Sequence, residues 1–352
     1  MKSKKVRIVS IILMMVMLLV SLPIACYAEE VSIKKKMITV IDDEEQYVEI
    51  ACPPRRIVVL HREAADILYA LGCKDSIVGR SMRMTTVPSL KAKKVVGGEA
   101  APAVELIMKL NADLVIPSGC GSLRYELRDK LASVKIPVLM MNHIVGIDEL
   151  KAKVSLLGLI MDKREVAGKL LEFIDNYYEL VRSRVKDLRP DQKPRVLFLC
   201  GHSKSPWGVH GSESTRANKL LIPAGGISVS ANLPYFMPTA SQEWCMQQNP
   251  DIIYYDPFAR NIKGGLESIR DEIMNRPGLK ETRAVREGKV YVCTWSSESG
   301  LWQIVGFVYM AKSLHPELFE DIDPCEVKQE VARLIYGEEQ MINDPISFYK
   351  WW

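Results

Sequence analysis

Apolar and polar positions alternate in blocks along most of the chain, and the blocks have two different periods. Short apolar runs rich in β-branched residues alternate with longer stretches in which apolar residues recur every three or four positions. Continuous apolar strands between helices are typical of a parallel sheet that is covered on both faces. The predicted strands are RIVVL, SIVGR, DLVIP and PVLMM in the first half, and RVLFLC, ISVSA, DIIYYD and KVYVCT in the second half. The pattern predicts an α/β fold with two parallel-sheet lobes.

A long amphipathic stretch separates the two halves. Apolar residues recur along one face of it, at Val166, Leu170, Ile174, Tyr177, Val181, Val185 and Leu188. A helix of ~26 residues spans ~39 Å, which is longer than a crossover within one sheet needs. We therefore predict a single long helix that joins the two lobes. A coiled-coil dimerisation arm is the alternative, but there is one such segment and its outer face lacks heptad order.

The N-terminus has the anatomy of a secretory signal. A basic segment precedes an apolar run, and small residues come before Glu29. A transmembrane anchor is the alternative, but the apolar run is short for a membrane span. Lipidation of Cys26 is a third possibility. We expect an exported protein, periplasmic or at the cell surface. The predicted parts are a signal peptide at 1–28, an N-terminal hairpin extension at 29–52, an α/β lobe at 53–147, the long helix region at 148–189 and a second α/β lobe at 194–352.

Charge and cysteine content exclude several classes of function. The formal net charge is +4, but the predicted signal carries four of the 47 basic residues and no acids. The remaining 43 basic residues balance 43 acidic residues, so no global basic field indicates nucleic-acid binding. The eight cysteines are scattered without any C-x-x-C pair, which argues against a zinc ribbon, an iron–sulfur cluster or a disulfide scaffold.

The candidate binding residues follow the predicted strands, because open parallel sheets bind ligands at the carboxyl ends of their strands. In the first lobe they are His61, Arg62, Arg80, Met82, Arg83, Ser118 and His143. In the second lobe they are His202, Trp207, His210, Phe258, Arg260, Trp295 and Trp302. Four of the five histidines fall in this set of loops. The sequence therefore predicts one ligand cleft between the lobes.

Enzymatic motifs are missing from the sequence. The glycine-rich segment at 201–215 lacks the G-K-[ST] ending of a phosphate-binding loop, and neither a G-x-S-x-G elbow nor an H-E-x-x-H helix occurs. Glu63 and Asp66 are predicted in the first turn of a helix, where acids compensate the helix dipole. We expect no enzymatic activity, and a secreted metalloenzyme is the alternative.

Five stretches, in order and spacing, resemble the class III solute-binding proteins of ABC importers. They are PPRRIVVLHREAADILYALGCKDSIVGR, VVGGEAAPAVELIMKLNADLVI, the long helix, LIPAGGISVSANLP and ASQEWCMQQNPDIIYYD. The resemblance implies two lobes on one rigid helix, with a ligand in the cleft between them. It also implies that Glu105 and Glu243 dock into arginine pockets of a permease dimer that works with an ATPase. On this resemblance we expect a monomer without a cofactor of its own.

The resemblance implies an iron–siderophore complex, haem or a corrinoid as ligand. Arginines would pair with the negative groups of such a chelate, and tryptophans with its apolar surface. His61, His202 or His210 would be the axial ligand of its metal. One alternative is a bare transition-metal ion held by His61, His143 and His202. Another is a molybdate-type oxyanion held by arginines and backbone N–H groups.

Overall fold

The computed structural model describes residues 36–99, 101–118, 121–201, 203, 205–257, 264–294, 299–342 and 348. The predicted signal peptide at 1–28 lies outside these residues. So do four predicted site residues: His202, Phe258, Arg260 and Trp295.

Among the described residues, ten strands form one hairpin and two four-stranded sheets. They are β1 (Met37–Ile41), β2 (Tyr47–Ala51), β3 (Ile57–Val59), β4 (Ile77–Arg80), β5 (Lys94–Val95), β6 (Leu114–Ile116), β7 (Arg195–Cys200), β8 (Ile227–Ser228), β9 (Ile252–Asp256) and β10 (Val290–Val292). The first sheet has the order β5-β4-β3-β6 and the second has the order β10-β9-β7-β8. Every pair in both sheets is parallel, whereas β1 and β2 form an antiparallel hairpin. The predicted α/β fold with two parallel sheets is confirmed.

Twelve α-helices occur in the described part of the chain. They are α1 (Arg62–Ala70), α2 (Pro88–Lys91), α3 (Val104–Lys109), α4 (Leu123–Ala132), α5 (Ile147–Ile160), α6 (Arg164–Val185), α7 (Arg216–Leu221), α8 (Gln242–Gln248), α9 (Gly265–Met274), α10 (Arg283–Arg286), α11 (Gln303–Leu314) and α12 (Pro324–Tyr336). Short 3₁₀ helices lie at Lys74–Ser76, Pro190–Gln192, Gly300–Trp302 and Pro316–Leu318. None of the described helices has the length and apolar run needed to cross a bilayer.

Two elements differ from the predicted pattern. The predicted strand at 137–141 joins β6 through one parallel bridge, between Val115 and Val138. The helical region predicted at 148–189 divides into α5 and α6 at Asp162, whose φ of 54° is left-handed and ends the first helix. The second of these helices, α6, has 22 residues.

Each central strand sends alternate side chains to two hydrophobic clusters. Ile57 and Phe198 belong to one large cluster that both sheets share with α5, α6 and α11. Val58 belongs to a cluster confined to the first sheet, and Leu197 to one confined to the second sheet. Because alternate residues of a strand point to opposite faces, both sheets are buried on both sides and have one interior in common. That shared interior brings the carboxyl ends of both sheets to one junction.

Candidate functional site

His61 is the N-cap of α1, and both of its ring nitrogens form hydrogen bonds with backbone groups. Its Nδ1 accepts a hydrogen bond from Ala64 N at 3.3 Å, so Nε2 carries the proton and donates to Asn142 O at 3.1 Å. The side chain is buried, and burial lowers the pKa of the imidazole below its ordinary value. His61 is therefore a neutral helix cap at the carboxyl end of β3.

Glu63, in the first turn of α1, is a buried carboxylate with partners on three sides. Its Oε2 accepts from Ile144 N at 2.7 Å, and its Oε1 lies 3.2 Å from Arg216 Nη2 and 3.6 Å from His143 Nδ1. Burial raises the pKa of the carboxyl, but the neighbouring His143 ring and the charge of Arg216 outweigh it and lower the pKa well below its ordinary value. The acid thus does more than compensate a helix dipole.

Arg216 reaches Glu63 from the second sheet. It is the first residue of α7, where Thr215 caps the helix by accepting from Asn218 N. Its guanidinium also donates to Ser299 Oγ. The side chain is buried, so the Glu63–Arg216 ion pair joins the two sheets inside the protein.

Gly300 and Gln303 complete the junction. Gly300 has φ of 53°, and a Cβ placed there would lie 3.1 Å from Glu63 Cβ. Gln303 Oε1 accepts from Gly146 N at 2.8 Å, which ties α11 to the segment just before α5. These contacts place Gly300 close to Glu63 and Gln303 close to the segment before α5.

His143 is the accessible member of the cluster. Its side chain is 34% exposed, and its ring centroid lies 5.7 Å from that of His61. The hairpin holds the neighbouring backbone, because Asn142 N donates to Asp43 Oδ2 at 2.7 Å and Asp43 N donates to Met140 O at 3.1 Å. His61, Glu63 and His143 each offer one donor atom within 4.8 Å of the other two, the arrangement of a possible metal site.

His210 lies apart from this cluster, in the interior of the second sheet. Its Nε2 is 3.7 Å from Asp256 Oδ2, and its ring packs edge-on against Phe198 at 4.8 Å between centroids. His210 O accepts from Ser230 Oγ at 2.7 Å and from Asn218 Nδ2 at 3.4 Å. The glycine-rich segment at 201–215 is thereby attached to α7, the helix that presents Arg216.

Three predicted ligand residues pack inside the protein. Arg80 is buried and donates to the carbonyl oxygens of Ser81 and Lys91, at 2.9 and 2.6 Å, so its position conflicts with a role in pairing a ligand anion. Trp302 is 1% exposed and packs in the shared cluster, so it does not present its ring to a cleft. Trp207, half-buried, packs against the core of the second sheet, with the Arg276 guanidinium 5.8 Å from its ring centroid.

The other predicted site residues differ in how exposed their side chains are. Met82 and Arg83 are exposed just after β4. Ser118 is buried after β6, and Arg62 is half-buried beside Asp66. These residues follow the strands as the sequence predicts.

The sequence pattern did not predict an exposed apolar group in the segment between β8 and α8. Tyr235, Phe236 and Met237 are 71%, 49% and 40% exposed. Their backbone runs beside the glycine-rich segment, since Gly211 N donates to Phe236 O and Val209 N to Pro238 O. The sequence does contain a signal for this group: three consecutive large apolar residues stand in a segment with two prolines.

Arg216 was also missed, although its position carries a signal. A cation in the first turn of a helix is unfavourable beside the positive end of the helix dipole. A buried arginine there needs a carboxylate, and Glu63 supplies it.

Comparisons with known proteins give three kinds of match. The sequence profile of the periplasmic binding protein family matches residues 57–295. A cobalamin-binding protein of Halobacterium salinarum is 25% identical over 220 residues, which are 61% of this chain and 58% of that protein. The chain thus spans less than two thirds of that relative. An uncharacterised ABC transporter substrate-binding lipoprotein of Bacillus subtilis, YvrC, is 23% identical over 287 residues, 81% of this chain and 87% of the relative.

Solved structures share the fold. The molybdate-binding protein MolA of Haemophilus influenzae, bound to molybdate, superposes with a TM-score of 0.70 at 19% identity, covering 86% of this chain and 98% of MolA. The TroA-like periplasmic binding protein FepB of Veillonella parvula gives 0.69 at 19% identity, covering 89% and 99%. The family profile spans well over half of the 352 residues, and the chain belongs to the periplasmic binding protein family.

Proposed function

We propose that this protein is the extracytoplasmic receptor of an ABC importer and that it captures a metal chelate between its two sheets. The chelate is an iron–siderophore complex, haem or a corrinoid. One observation carries the proposal: the accessible His143 stands over a buried carboxylate, at the junction where the carboxyl ends of both sheets meet. We take 53–147 and 194–352 as the two lobes that enclose this junction.

The surroundings of the junction favour a ligand with apolar surface. Tyr235, Phe236 and Met237 in the second lobe and Met82 in the first are exposed near the carboxyl ends of their sheets. Large chelates bind in wide, mostly apolar sites that contain a few polar anchors. Similar proteins handle related cargo: one is a cobalamin-binding protein, and another belongs to an Fe³⁺-hydroxamate transport system.

A bare divalent ion is the second candidate, favoured by the three donor atoms of His61, Glu63 and His143. Such an ion would have to displace the helix cap at His61. It would also lie beside the Arg216 guanidinium, 3.2 Å from Glu63 Oε1. An oxyanion would meet the ionised Glu63 beside His143, which disfavours it at this position.

Catalysis is not part of the proposal. His61 is buried, and its lone pair already caps a helix. It is therefore not available as a general base, a role that requires a group able to take a proton from the substrate.

The proposal is tested by titrating the purified protein with haemin, diaquocobinamide, a ferric catecholate, nickel chloride and sodium molybdate. We expect at least one chelate to bind with a Kd at or below about the micromolar range, with quenching of tryptophan fluorescence and recovery of the ligand unchanged. Tight binding of nickel or molybdate alone would contradict the chelate proposal. Conversion of the ligand would contradict the receptor proposal.

A further inference from the structure

A groove separates the N-terminal hairpin from the segment at 137–141, which extends the first sheet beyond β6. Its volume is about 390 Å³, within the range of protein sites that hold small ligands. It lies between β2 and residues 136–138, and the side chains of Arg128 and Lys135 line one wall. Its lining residues are not those that form the junction of the two sheets.

One edge of the groove is the outer edge of β2. Asp42 N donates to Gln46 O at 3.0 Å across the hairpin, and hydrogen-bonded pairs alternate with non-bonded pairs along an antiparallel ladder. Thr39 and Glu49, which lie opposite each other, are therefore a non-bonded pair. The backbone N–H and C=O groups of Tyr47 and Glu49 then point away from β1, and in the described chain β2 pairs with β1 alone.

The opposite edge of the groove is formed by the backbone at Val138. Val115 N in β6 donates to Pro137 O at 3.0 Å, and Leu139 N donates to Val115 O at 2.9 Å. These two hydrogen bonds use the residues on either side of Val138. In a parallel ladder the N–H and C=O groups of Val138 itself then point away from β6.

The hairpin turn closes one end of the groove and shows that both edges face each other. Met140 O accepts from Asp43 N at 3.1 Å, and Met140 N donates to Asp42 Oδ2 at 3.4 Å. Met140 lies two residues after Val138, so the backbone groups of both residues point to the hairpin side. An edge with outward N–H and C=O groups is a template for a further strand, and here two such edges border one groove.

The side chains at the groove favour an acidic occupant. Val48 packs against the large shared cluster, so its neighbours Tyr47 and Glu49 point to the other face, the side of α4. Lys135 is exposed, and Arg128 has 33% of its side chain exposed. These two cations therefore outnumber Glu49 on this face.

Asp42 also lines the groove, but its carboxylate is already engaged by the hairpin turn. Its Oδ1 accepts from Glu44 N and from Gln46 N, both at 2.9 Å, and its Oδ2 accepts from Met140 N. Three backbone N–H groups thus compensate its charge.

We propose that this groove binds an extended peptide segment of a partner protein, inserted as a strand between β2 and the segment at 137–141. The peptide alternates β-branched residues, directed to the side of the shared cluster, with acidic residues, directed to Arg128 and Lys135. Main-chain hydrogen bonds to both edges supply affinity, and the alternate side chains supply specificity. The proposal concerns a surface other than the junction at which we place the chelate.

The test uses the full chain and the peptide Val-Glu-Val-Glu-Val, amidated and labelled with fluorescein at its N-terminus. Fluorescence anisotropy should show saturable binding with a Kd below about 1 mM. Val-Lys-Val-Lys-Val should bind at least ~10-fold more weakly, because its lysines meet Arg128 and Lys135. N-methylation of the central valine or of the glutamate before it should each weaken binding at least ~10-fold, because their N–H groups point to opposite edges.

Glu49→Pro removes one outward N–H group from β2 and should weaken peptide binding at least ~10-fold. Thr39→Pro is the matched control, because it removes the outward N–H group at the opposite position, on the other edge of the hairpin. It should bind the peptide as wild type does. Glu49→Thr keeps the N–H group and removes the acid, so it should bind at least as tightly as wild type. Circular dichroism verifies that each variant is folded.

The charge of the wall is tested separately. Arg128→Gln combined with Lys135→Gln should weaken peptide binding and reduce its dependence on salt. Lys130→Gln is the control, since Lys130 is an exposed residue of α4 that does not line the groove. It should leave peptide binding unchanged.

Four results would overturn the proposal. The first is the absence of saturable peptide binding to wild type, and the second is an equal loss of binding in folded Glu49→Pro and Thr39→Pro. Sensitivity to only one of the two N-methylations would indicate addition to a single edge instead of insertion. A dimer in sedimentation experiments that the peptide dissociates would assign the groove to a second copy of this chain. Chelate titration of Glu49→Pro, expected to match wild type, separates this proposal from the proposed function.

Discussion

Arg216 Nη2 lies 3.2 Å from Glu63 Oε1, and this buried ion pair links α1, the helix after β3 of one sheet, to α7, the helix after β7 of the other sheet. Both side chains are at most 5% exposed. Ions taken out of water need partners that satisfy them, and this pair has Ile144 N and Ser299 Oγ in addition. The pair therefore fixes how the two sheets meet.

Removing either partner should destabilise the fold. We expect Arg216→Gln or Glu63→Gln to lower the free energy of unfolding by about 3–5 kcal/mol, because each leaves a buried charge without its counter-ion. The double variant should lose less than the sum of the two single variants. Urea denaturation at neutral pH measures all three.

Lowering the pH should remove the stabilisation that the Glu63–Arg216 pair provides. The pKa of Glu63 is depressed in the folded protein, so its stabilisation is present above the ordinary carboxyl pKa of 4.5 and is lost as the pH falls below it. The control is Glu165→Gln on the surface of α6, where both side chains of the Glu165–Lys169 pair are mostly exposed. Equal effects of Glu63→Gln and Glu165→Gln would contradict the assignment of a buried pair.

Two glycines should respond in opposite directions to alanine. Gly300 has φ of 53° and faces Glu63 Cβ, so Gly300→Ala should destabilise the protein by about 1–3 kcal/mol. Gly168 lies exposed in α6 with open space around it, so Gly168→Ala should stabilise by about 0.5–1 kcal/mol. Thermal unfolding of both variants checks the pair. A stabilised Gly300→Ala would mean that the close approach at the junction is not needed.

The fold was predictable because a strand that is buried on both faces has a continuous apolar sequence. In RVLFLC every residue after Arg195 is buried, with Phe198 turned to the shared cluster and Leu197 to the other face. Such a run requires cover on both sides, and the helical stretches between the runs supply it. The order of strands within each sheet depends on packing between distant residues and was not available from the pattern.

The candidate site was predictable only as a set of loops. The strand ends placed His61 and His143 together, as expected from parallel topology. Residue type did not reveal which way the side chains point. Arg80 turns inward, where backbone carbonyl oxygens accept from its guanidinium, and Trp302 turns inward to pack in the shared cluster. Arg216 contacts Glu63 although 153 positions separate them in the sequence, a contact that only the tertiary structure can create.

Asp66 should make stability depend on pH in the opposite sense from Glu63. Burial raises the pKa of Asp66 to about 6, although Arg62, the hydrogen bond of Tyr336 and the neighbouring Trp302 indole act against the rise. The folded state then binds a proton that the unfolded state releases at lower pH. Its stability relative to Asp66→Asn should fall as pH rises from about 4 to about 6, by on the order of 3 kcal/mol, and then level off.

Paired unfolding curves of wild type and Asp66→Asn at several pH values between 4 and 7 measure this difference. The asparagine keeps an oxygen that accepts from Tyr336 Oη, which donates to Asp66 Oδ1 at 2.6 Å in wild type. A difference that stays constant across the range would show that Asp66 does not change its protonation there.

Glu105 and Glu243 offer the sharpest test of delivery to a permease. Each is an exposed acid in the first turn of a short helix, Glu105 in α3 and Glu243 in α8, so the two lobes present equivalent carboxylates. The pKa of Glu243 is lowered by hydrogen bonds with its own backbone and with Ser241, which keeps this carboxylate charged for pairing with arginine. We expect Glu105→Ala with Glu243→Ala to leave chelate affinity unchanged and to impair uptake in cells.

The matched control is Glu267→Ala, an exposed acid in the first turn of α9 that shares the helix dipole but not the proposed docking role. All three acids interact favourably with the dipole of their helix. A loss of uptake in the double variant alone would therefore result from impaired docking and not from a less stable helix. Uptake of a radiolabelled chelate, compared with binding to the purified variants, separates the two steps. Weaker chelate binding by the double variant would place these acids at the ligand site instead, and uptake equal to that of Glu267→Ala would remove them from docking.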